Sequence, residues 1–357
     1  MSKNILNDIS AIQKLDSKNM LGSLEKLPHQ VEEVWQCAKD LKFSADYKKV
    51  KNIVVVGMGG SALGAHVIKS LYFSTLKIPL EIVNGYSVPE YTDKNSLVIF
   101  SSYSGTTEEV LYAMKTARIK KAKTVIITSG GELSEIARTA KIPALIFTTK
   151  NNPCGSPRMG LGYLIIGQII LLSKIGFLKI GEKDIKQVIG DFEKYNLEFG
   201  VGNSGENAAK KIAQALQNKS VWYAGAQHLN GNTHIAANQM NENAKRFAGY
   251  FIIPELNHHL MEGMMYPKSN QKDLTFVLLE SKLYSEKIQK RFTVTKNILD
   301  KNKIEYLSYT ATAQNPLAQT CEILVLSSYI SYYSALLQGL DPTAIPFVDY
   351  FKQQLKK

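Results

Sequence analysis

Cysteine and arginine are both scarce in this sequence of 357 residues. The three cysteines, Cys37, Cys154 and Cys321, are odd in number, lie far apart and form no pair at the spacing of metal ligands. This argues against a disulfide framework and a structural zinc site. Only five of the 43 basic residues are arginine, and the lysines are spread along the chain. Nucleic-acid-binding surfaces concentrate their basic residues, so despite the net charge of +12 we expect no nucleic-acid partner.

Long hydrophobic runs are absent as well. The longest apolar stretches, such as residues 161–172, contain about a dozen residues, short of the ~20 that a transmembrane helix needs. The first twenty residues are polar and charged, without the apolar segment of a secretory signal. We therefore expect a cytoplasmic protein without membrane contact.

The remaining composition, with 45% hydrophobic and 21% charged residues, is that of an ordinary globular protein. The length favours about two domains. From Lys51, short apolar strands alternate with helices, and strands that are apolar without alternation are typical of a parallel sheet covered on both faces. This series of elements occurs twice, without a repeat at the level of residues.

The predicted fold class is therefore α/β, with two doubly wound parallel-sheet domains. The predicted organisation has five parts: a helical lead-in (1–50), a first α/β domain (51–152), linking helices (153–217), a second α/β domain (218–340) and a C-terminal helix (341–357). The lead-in carries no evident chemistry, and the linking helices begin with an apolar helix at residues 158–175.

Two polar loops in the first domain each follow a strand and open a helix. In GMGGSALG (residues 57–64), Gly59 and Gly60 allow a tight turn before Ser61. The second loop, SSYSGTTEEV (residues 101–110), carries the hydroxyl side chains of Ser102, Ser104, Thr106 and Thr107. Helix N-termini attract anions, and the carboxyl ends of parallel strands meet in one crevice. The pair of loops favours a phosphate site, although each loop alone could consist of plain N-caps and turn residues.

The first loop departs from the dinucleotide-binding fingerprint. The pattern Gly-x-Gly-x-x-Gly fails at its third glycine, where Ala62 stands, and no acidic residue ends the second strand. A nicotinamide-dependent dehydrogenase is therefore a weak alternative, and we expect no cofactor.

Together, GMGGSALG and SSYSGTTEE resemble the phosphate-binding loops of the sugar isomerase (SIS) domain. Four further segments, NPCGSPRMGLGY (152–163), QMNENAK (239–245), PELNHH (254–259) and LQGLDPTAI (337–345), are similar to the bifunctional phosphoglucose/phosphomannose isomerases, which have two SIS domains. The resemblance covers essentially the whole chain. It implies an aldose–ketose isomerase, without cofactor or metal, that interconverts glucose 6-phosphate and mannose 6-phosphate with fructose 6-phosphate through a cis-enediolate. The implied phosphate-binding residues are Gly59, Gly60, Ser61, Ser102, Ser104 and Thr107.

Such an isomerisation moves a proton between C2 and C1, which requires a carboxylate base and a positive group for the developing charge. Glu242 lies towards the end of a predicted helix, and the resemblance implies that it is the base. Arg158 follows Pro157 at a predicted helix start, where the helix dipole disfavours a cation. This favours a ligand-facing arginine over one on the surface, and the resemblance implies that it stabilises the enediolate.

His258 and His259 are adjacent, but no further ligands stand at a recognisable metal spacing, so we expect no metal. An imidazole suits ring opening by proton transfer. The resemblance selects His258, supplied by the partner subunit of a homodimer, although His259 departs from the commoner Asn and keeps the choice open. It also implies that Lys352 assists ring opening and that Thr343 borders the sugar. Gln239 and Asn243 could bind sugar hydroxyls.

Two other functions stay open. A sugar-phosphate sensor would pair this fold with a DNA-binding motif, but the helical lead-in has few basic residues and no evident recognition helix. The combination of Glu242, Arg158, His258 and Lys352 also argues against a site that only binds. The second alternative is an isomerase of aminosugar phosphates.

Overall fold

The structure, a computed structural model, describes residues 5–203, 205 and 207–355. The ends of the predicted lead-in (1–4) and of the predicted C-terminal helix (356–357) lie outside the described residues. The lead-in contains a short 3-10 turn followed by three helices: α1 (Ile9–Leu15), α2 (Met20–Glu25) and α3 (Leu27–Cys37). Several of their apolar residues, including Leu24, Val31 and Val34, are fully buried. The lead-in is therefore part of the main core.

The first sheet is parallel, with the strand order β2-β1-β3-β4-β5. Its strands are β1 (Asn52–Val56), β2 (Leu80–Val83), β3 (Ser96–Ser102), β4 (Lys123–Thr128) and β5 (Ala144–Ile146). Its helices are α4 (Leu63–Leu71), α5 (Glu108–Ile119) and α6 (Gly131–Thr139). Along β1, Ile53 and Val55 face one hydrophobic cluster while Val54 and Val56 face another. Both faces of the sheet are thus covered, as the apolar strands predict.

The linking region differs from its prediction at its beginning. Residues 158–175 form a 3-10 turn (Pro157–Met159), a π-helical turn (Gly162–Ile166) and only then the helix α7 (Gly167–Ile175). The buried carboxamide of Gln30 accepts from Gly162 N and donates to Met159 O, so it occupies backbone groups that a continuous helix would pair. The region continues with α8 (Glu182–Phe199) and α9 (Ala208–Ala215).

The second sheet is also parallel, with the order β7-β6-β8-β9. Its strands are β6 (Ser220–Ala226), β7 (Ala248–Ile253), β8 (Leu274–Ser281) and β9 (Glu305–Ala311). Its helices are α10 (Asn230–Ala244), α11 (Leu256–His259), α12 (Asn270–Asp273), α13 (Glu286–Asn302) and the buried α14 (Pro316–Leu337). The predicted fold class, two parallel-sheet α/β units, is confirmed. Within the described ranges, no helix has the length and apolar character needed to cross a membrane.

The two units pack against each other through α4 and α10. These helices hold matching positions, since each follows the first strand of its sheet and a 3-10 turn. The backbone of α4 at Val67 lies directly against Gly231, and the rings of His66 and His234 meet with centroids 4.4 Å apart. In contrast, the final helix, α15 (Pro346–Gln354), contains no buried residue.

Candidate active site

The two predicted phosphate loops lie side by side at the carboxyl ends of β1 and β3. Ser61, which is buried, accepts a hydrogen bond from Tyr103 N at 2.9 Å, and its carbonyl accepts one from Ser101 Oγ. Within the second loop, the hydroxyls of Ser102 and Thr107 are hydrogen-bonded at 2.7 Å. Ser104 is exposed beside them. The structure therefore brings these hydroxyl groups together at one edge of the sheet.

Gly60, in the first of the predicted phosphate loops, packs against the backbone of Arg158. A Cβ at Gly60 would stand only 2.8 Å from Arg158 N, so glycine is needed for this close approach. Gly59 has φ +49°, in the left-handed region, and a Cβ there would meet nothing within 4 Å. Both glycines fit a backbone that turns tightly and leaves room for a ligand.

Arg158 is buried, with only 2% of its side chain exposed, which rules out the surface position considered for it. Its Nη1 donates to Glu242 Oε2 at 3.3 Å, and its Nε donates to Asn243 Oδ1 at 2.5 Å. Its Nη2 donates to the backbone carbonyls of Pro342 and Thr343. Burial lowers the pKa of the Arg158 guanidinium, and the Glu242 carboxylate acts in the opposite direction. The predicted base and the predicted enediolate-stabilising group thus touch each other.

Glu242 lies on the last turn of α10, as predicted, and 35% of its side chain is exposed. The carboxylate can therefore be reached by a ligand while it contacts a buried cation. Asn243 and Gln239 on the same helix are buried and hold Arg158: Asn243 through its Oδ1, and Gln239 through a bond from its Nε2 to Arg158 O. They position the arginine, whereas the sequence suggested that they could bind sugar hydroxyls.

Lys245 adds a second cation next to this pair. Its Nζ donates to the backbone carbonyls of Asn243 at 2.9 Å and of Asp341 at 2.5 Å. Burial and the Arg158 charge lower the pKa of Lys245 to about 8, against the opposite effect of Asp341 and Glu242. Three successive carbonyls, from Asp341 to Thr343, therefore accept from Lys245 or Arg158.

The other predicted catalytic residues lie on exposed short helices. His258 and His259 are both exposed on α11, and Lys352 is exposed on α15. In the described part of the chain, none of the three forms a hydrogen bond or ion pair with Glu242 or Arg158. Thr343 reaches the site by its backbone, and its hydroxyl is buried without a partner among the described residues.

The helical lead-in supports the site in a way that sequence reasoning missed. Besides contacting Gly162, Gln30 donates to Asn151 O and Met159 O, while Glu33 accepts from the hydroxyl groups of Thr148 and Tyr163. These bonds hold the turn that carries Arg158. The only sequence signal was that two polar residues occur on the apolar face of a predicted helix.

No group of three or more histidine, cysteine, aspartate or glutamate side chains in the described ranges is arranged to hold a metal ion. A cavity of about 760 Å³ lies elsewhere, between α4 and the turn before α10, and is lined by His66, His228 and His234 among others. It shares no lining residue with the cluster around Arg158.

Two family models match the chain. One, described as the SIS domain, covers residues 46–155. The other, described as the bacterial phospho-glucose isomerase C-terminal SIS domain, covers residues 205–355. The two matches fall on the two sheets in turn.

The chain is also similar to whole proteins. It is 30% identical to a bifunctional phosphoglucose/phosphomannose isomerase of Caldicellulosiruptor bescii, over 94% of this chain and 98% of that protein. It is 29% identical to a protein of the same name from Aquifex aeolicus, over 87% of this chain and 92% of that protein. A crystal structure of a hypothetical protein from Thermus thermophilus covers 97% of this chain, and this chain covers 93% of it, with a TM-score of 0.73 and 16% identity. That likeness concerns the fold.

Proposed function

The chain belongs to the bifunctional phosphoglucose/phosphomannose isomerase family, and from this premise we propose that its site interconverts glucose 6-phosphate and mannose 6-phosphate with fructose 6-phosphate. The observation that carries the proposal is the contact between Arg158 and Glu242. A carboxylate held against a buried cation, next to two loops suited to phosphate, can move a proton between C2 and C1 while the cation stabilises the enediolate oxygen.

The remaining roles are part of the same proposal. Ser61, Ser102, Ser104 and Thr107 hold the phosphate with the backbone at Gly59 and Gly60. His258 from the partner subunit of a homodimer, together with Lys352, opens the sugar ring. The exposure of both side chains supports this, since a group that serves another subunit must be accessible. We also propose a cytoplasmic location, where sugar phosphates are formed and used.

The proposal is tested by a coupled assay with purified protein, EDTA and no added cofactor, following the conversion of fructose 6-phosphate to glucose 6-phosphate and mannose 6-phosphate. We expect turnover by the unmodified protein and a loss of ~10²–10⁴-fold in kcat for Glu242→Gln, because the amide cannot accept the proton that must leave C1 of fructose 6-phosphate. Glu193→Gln, an exposed position in the middle of α8, is the matched control and keeps full activity.

Three results would contradict the proposal. Unchanged turnover by Glu242→Gln would exclude Glu242 as the base. Binding of fructose 6-phosphate without any turnover by the unmodified protein would favour the sensor, and turnover of glucosamine 6-phosphate alone would favour an aminosugar isomerase.

A further inference from the structure

Lys245 occupies an unusual position at the end of α10. It has φ 50° and ψ 33°, in the left-handed region where glycine or asparagine is more common, and its N–H closes the helix onto Met240 O. The residue follows Glu242 by three positions, and the charge of Glu242 acts on its ammonium group. Two of its three ammonium N–H groups donate to the carbonyls of Asn243 and Asp341. One N–H remains for a ligand.

Arg158 is poorly suited to carry protons. Four of its five N–H groups are already used, by Glu242, Asn243 and two backbone carbonyls. A guanidinium also keeps its proton at any pH at which proteins are folded. Arg158 therefore supplies a fixed charge with one free donor.

Aldose–ketose isomerisation nevertheless moves two protons: one from C2 to C1, and one from O2 to O1. The first is the work proposed for Glu242. The second requires a group that can both give and take a proton close to the sugar oxygens. Because Lys245 hydrogen-bonds to the backbone of Asn243, whose side chain holds Arg158, its ammonium lies at the edge of the Arg158–Glu242 pair.

We propose that Lys245 is a further catalytic residue, which transfers the proton between O2 and O1 of the substrate. This inference rests on the proposed function. When Glu242 removes the C2 proton of the aldose, the C2–H electron pair forms the C1=C2 bond and the electrons of C1=O move to O1. The resulting enediolate is stabilised by Arg158 until O1 takes a proton from the Lys245 ammonium. When Glu242 returns its proton to C1, O2 gives its proton to the neutral Lys245 amine and C2=O forms. Both residues end in their starting states.

The surroundings of Lys245 suit this role. The charged groups that act on it are Arg158, Glu242 and Asp341, and with burial they leave its pKa at about 8. A proton carrier works best when its pKa lies near the working pH. Since the ammonium form must donate first, the rate should fall as the pH rises through about 8.

The test uses Lys245→Arg and Lys245→Met in the full-length protein. Arginine keeps the charge and can donate to both carbonyls, but it cannot release its proton. We expect both variants to lose ~10²-fold or more in kcat, with little change in KM for Lys245→Arg. The fall of kcat near pH 8 should disappear from the pH profile of Lys245→Arg. Thermal unfolding of Lys245→Arg should match that of the unmodified protein.

Lys303→Met is the matched control, because Lys303 is an exposed lysine that ends α13 with φ 57° and ψ 33°. It should keep full activity. Wild-type kcat and an unchanged pH profile for Lys245→Arg would overturn the inference and assign Lys245 a purely structural or charge role. In that case the proposed function would stand, provided that Glu242→Gln is inactive, whereas an unmodified protein without turnover would overturn both.

Discussion

At the scale of single residues, the site depends on a buried guanidinium that is held mostly by neutral oxygen atoms. Arg158 has one carboxylate partner, Glu242, and three further acceptors, the side chain of Asn243 and two backbone carbonyls. Glu242 is therefore not locked into a bidentate ion pair. A carboxylate that shares its cation in this way remains available to accept a proton from a substrate.

We predict that Arg158→Lys lowers kcat/KM by ~10²–10³-fold, because one ammonium cannot replace the fork that contacts Glu242, Asn243 and the two carbonyls. It should also lower the free energy of unfolding by about 1–3 kcal/mol, since buried acceptors lose their donors. Steady-state kinetics and urea unfolding measure the two effects.

The matched control is Arg138→Lys. Arg138 forms an ion pair with Glu135 in which both side chains are more than 60% exposed, so the change in stability should stay within about 0.5 kcal/mol. An equally active Arg158→Lys variant would show that the geometry of the guanidinium is not needed.

The sequence allows the identity of these residues to be predicted, but only part of their surroundings. Arg158 stands out because arginine is rare and because a cation is disfavoured at a helix start. Its bond to the carbonyl of Thr343 could not be foreseen, because it joins residues 185 positions apart and involves a backbone group that any residue supplies. The bond from Lys245 to the backbone carbonyl of Asp341 could not be foreseen for the same reason.

At the scale of elements, the contact between α4 and α10 places the phosphate loops next to Glu242. Gly231 allows this contact, since a Cβ there would lie 2.5 Å from the Val67 backbone. We predict that Gly231→Ala lowers the free energy of unfolding by about 1–3 kcal/mol, because backbone atoms cannot move aside as a flexible side chain can.

Gly190 in α8 offers the opposite case, since a Cβ there would meet nothing within 4 Å. Gly190→Ala should therefore raise the free energy of unfolding by about 0.5–1 kcal/mol through its helix propensity. Chemical unfolding of the two variants side by side checks the sign of each change in the free energy of unfolding. An equal change in the free energy of unfolding for both variants would contradict the close contact between α4 and α10.

The matching turns of the two units differ at the position of a proposed phosphate-binding residue. Gly59 in the first turn and Gln227 in the second share a left-handed backbone, with φ of 49° and 46°. The second turn, however, places the fully buried Leu229 where the first has Ser61, and Gln227 uses its side-chain oxygen to accept from Ser285 N. The second turn therefore lacks the hydroxyl group that we propose for phosphate binding in the first.

The strands could be predicted well because apolar runs between turn residues define them. The break of the predicted helix at residues 158–175 could not, because it depends on Gln30, a residue more than 100 positions earlier. Such contacts cannot be predicted from the secondary-structure propensities of the segment itself. The predicted domain boundaries likewise stay predictions.

At the scale of the whole molecule, the proposed homodimer can be tested by combining two different inactive subunits in one dimer. If each site takes Glu242 from one subunit and His258 from the other, Glu242→Gln and His258→Ala should each be inactive alone. Co-expressed, they should form mixed dimers with one intact site. Half of the dimers would be mixed, and each of these would have one intact site out of two. We therefore predict about a quarter of the activity for the unseparated mixture and about half for purified mixed dimers.

The assay is carried out on dimers separated by different affinity tags. If His258 serves its own subunit, the mixed dimer stays inactive, which would contradict the shared site. His259→Ala in the same experiment decides between the adjacent histidines, because only loss of the active one should abolish turnover.

The bonds of Arg158 also set an order of events during synthesis. The chain is made from its N-terminus, so the loops at residues 57–64 and 101–110 exist early, within the first sheet. Arg158 follows soon after, but its partner Glu242 comes 84 residues later and its partner Thr343 comes 185 residues later. The groups that hold the Arg158 side chain are therefore made long after the two proposed phosphate-binding loops, and the arginine cannot reach its final buried position until the C-terminal part of the chain has been synthesised.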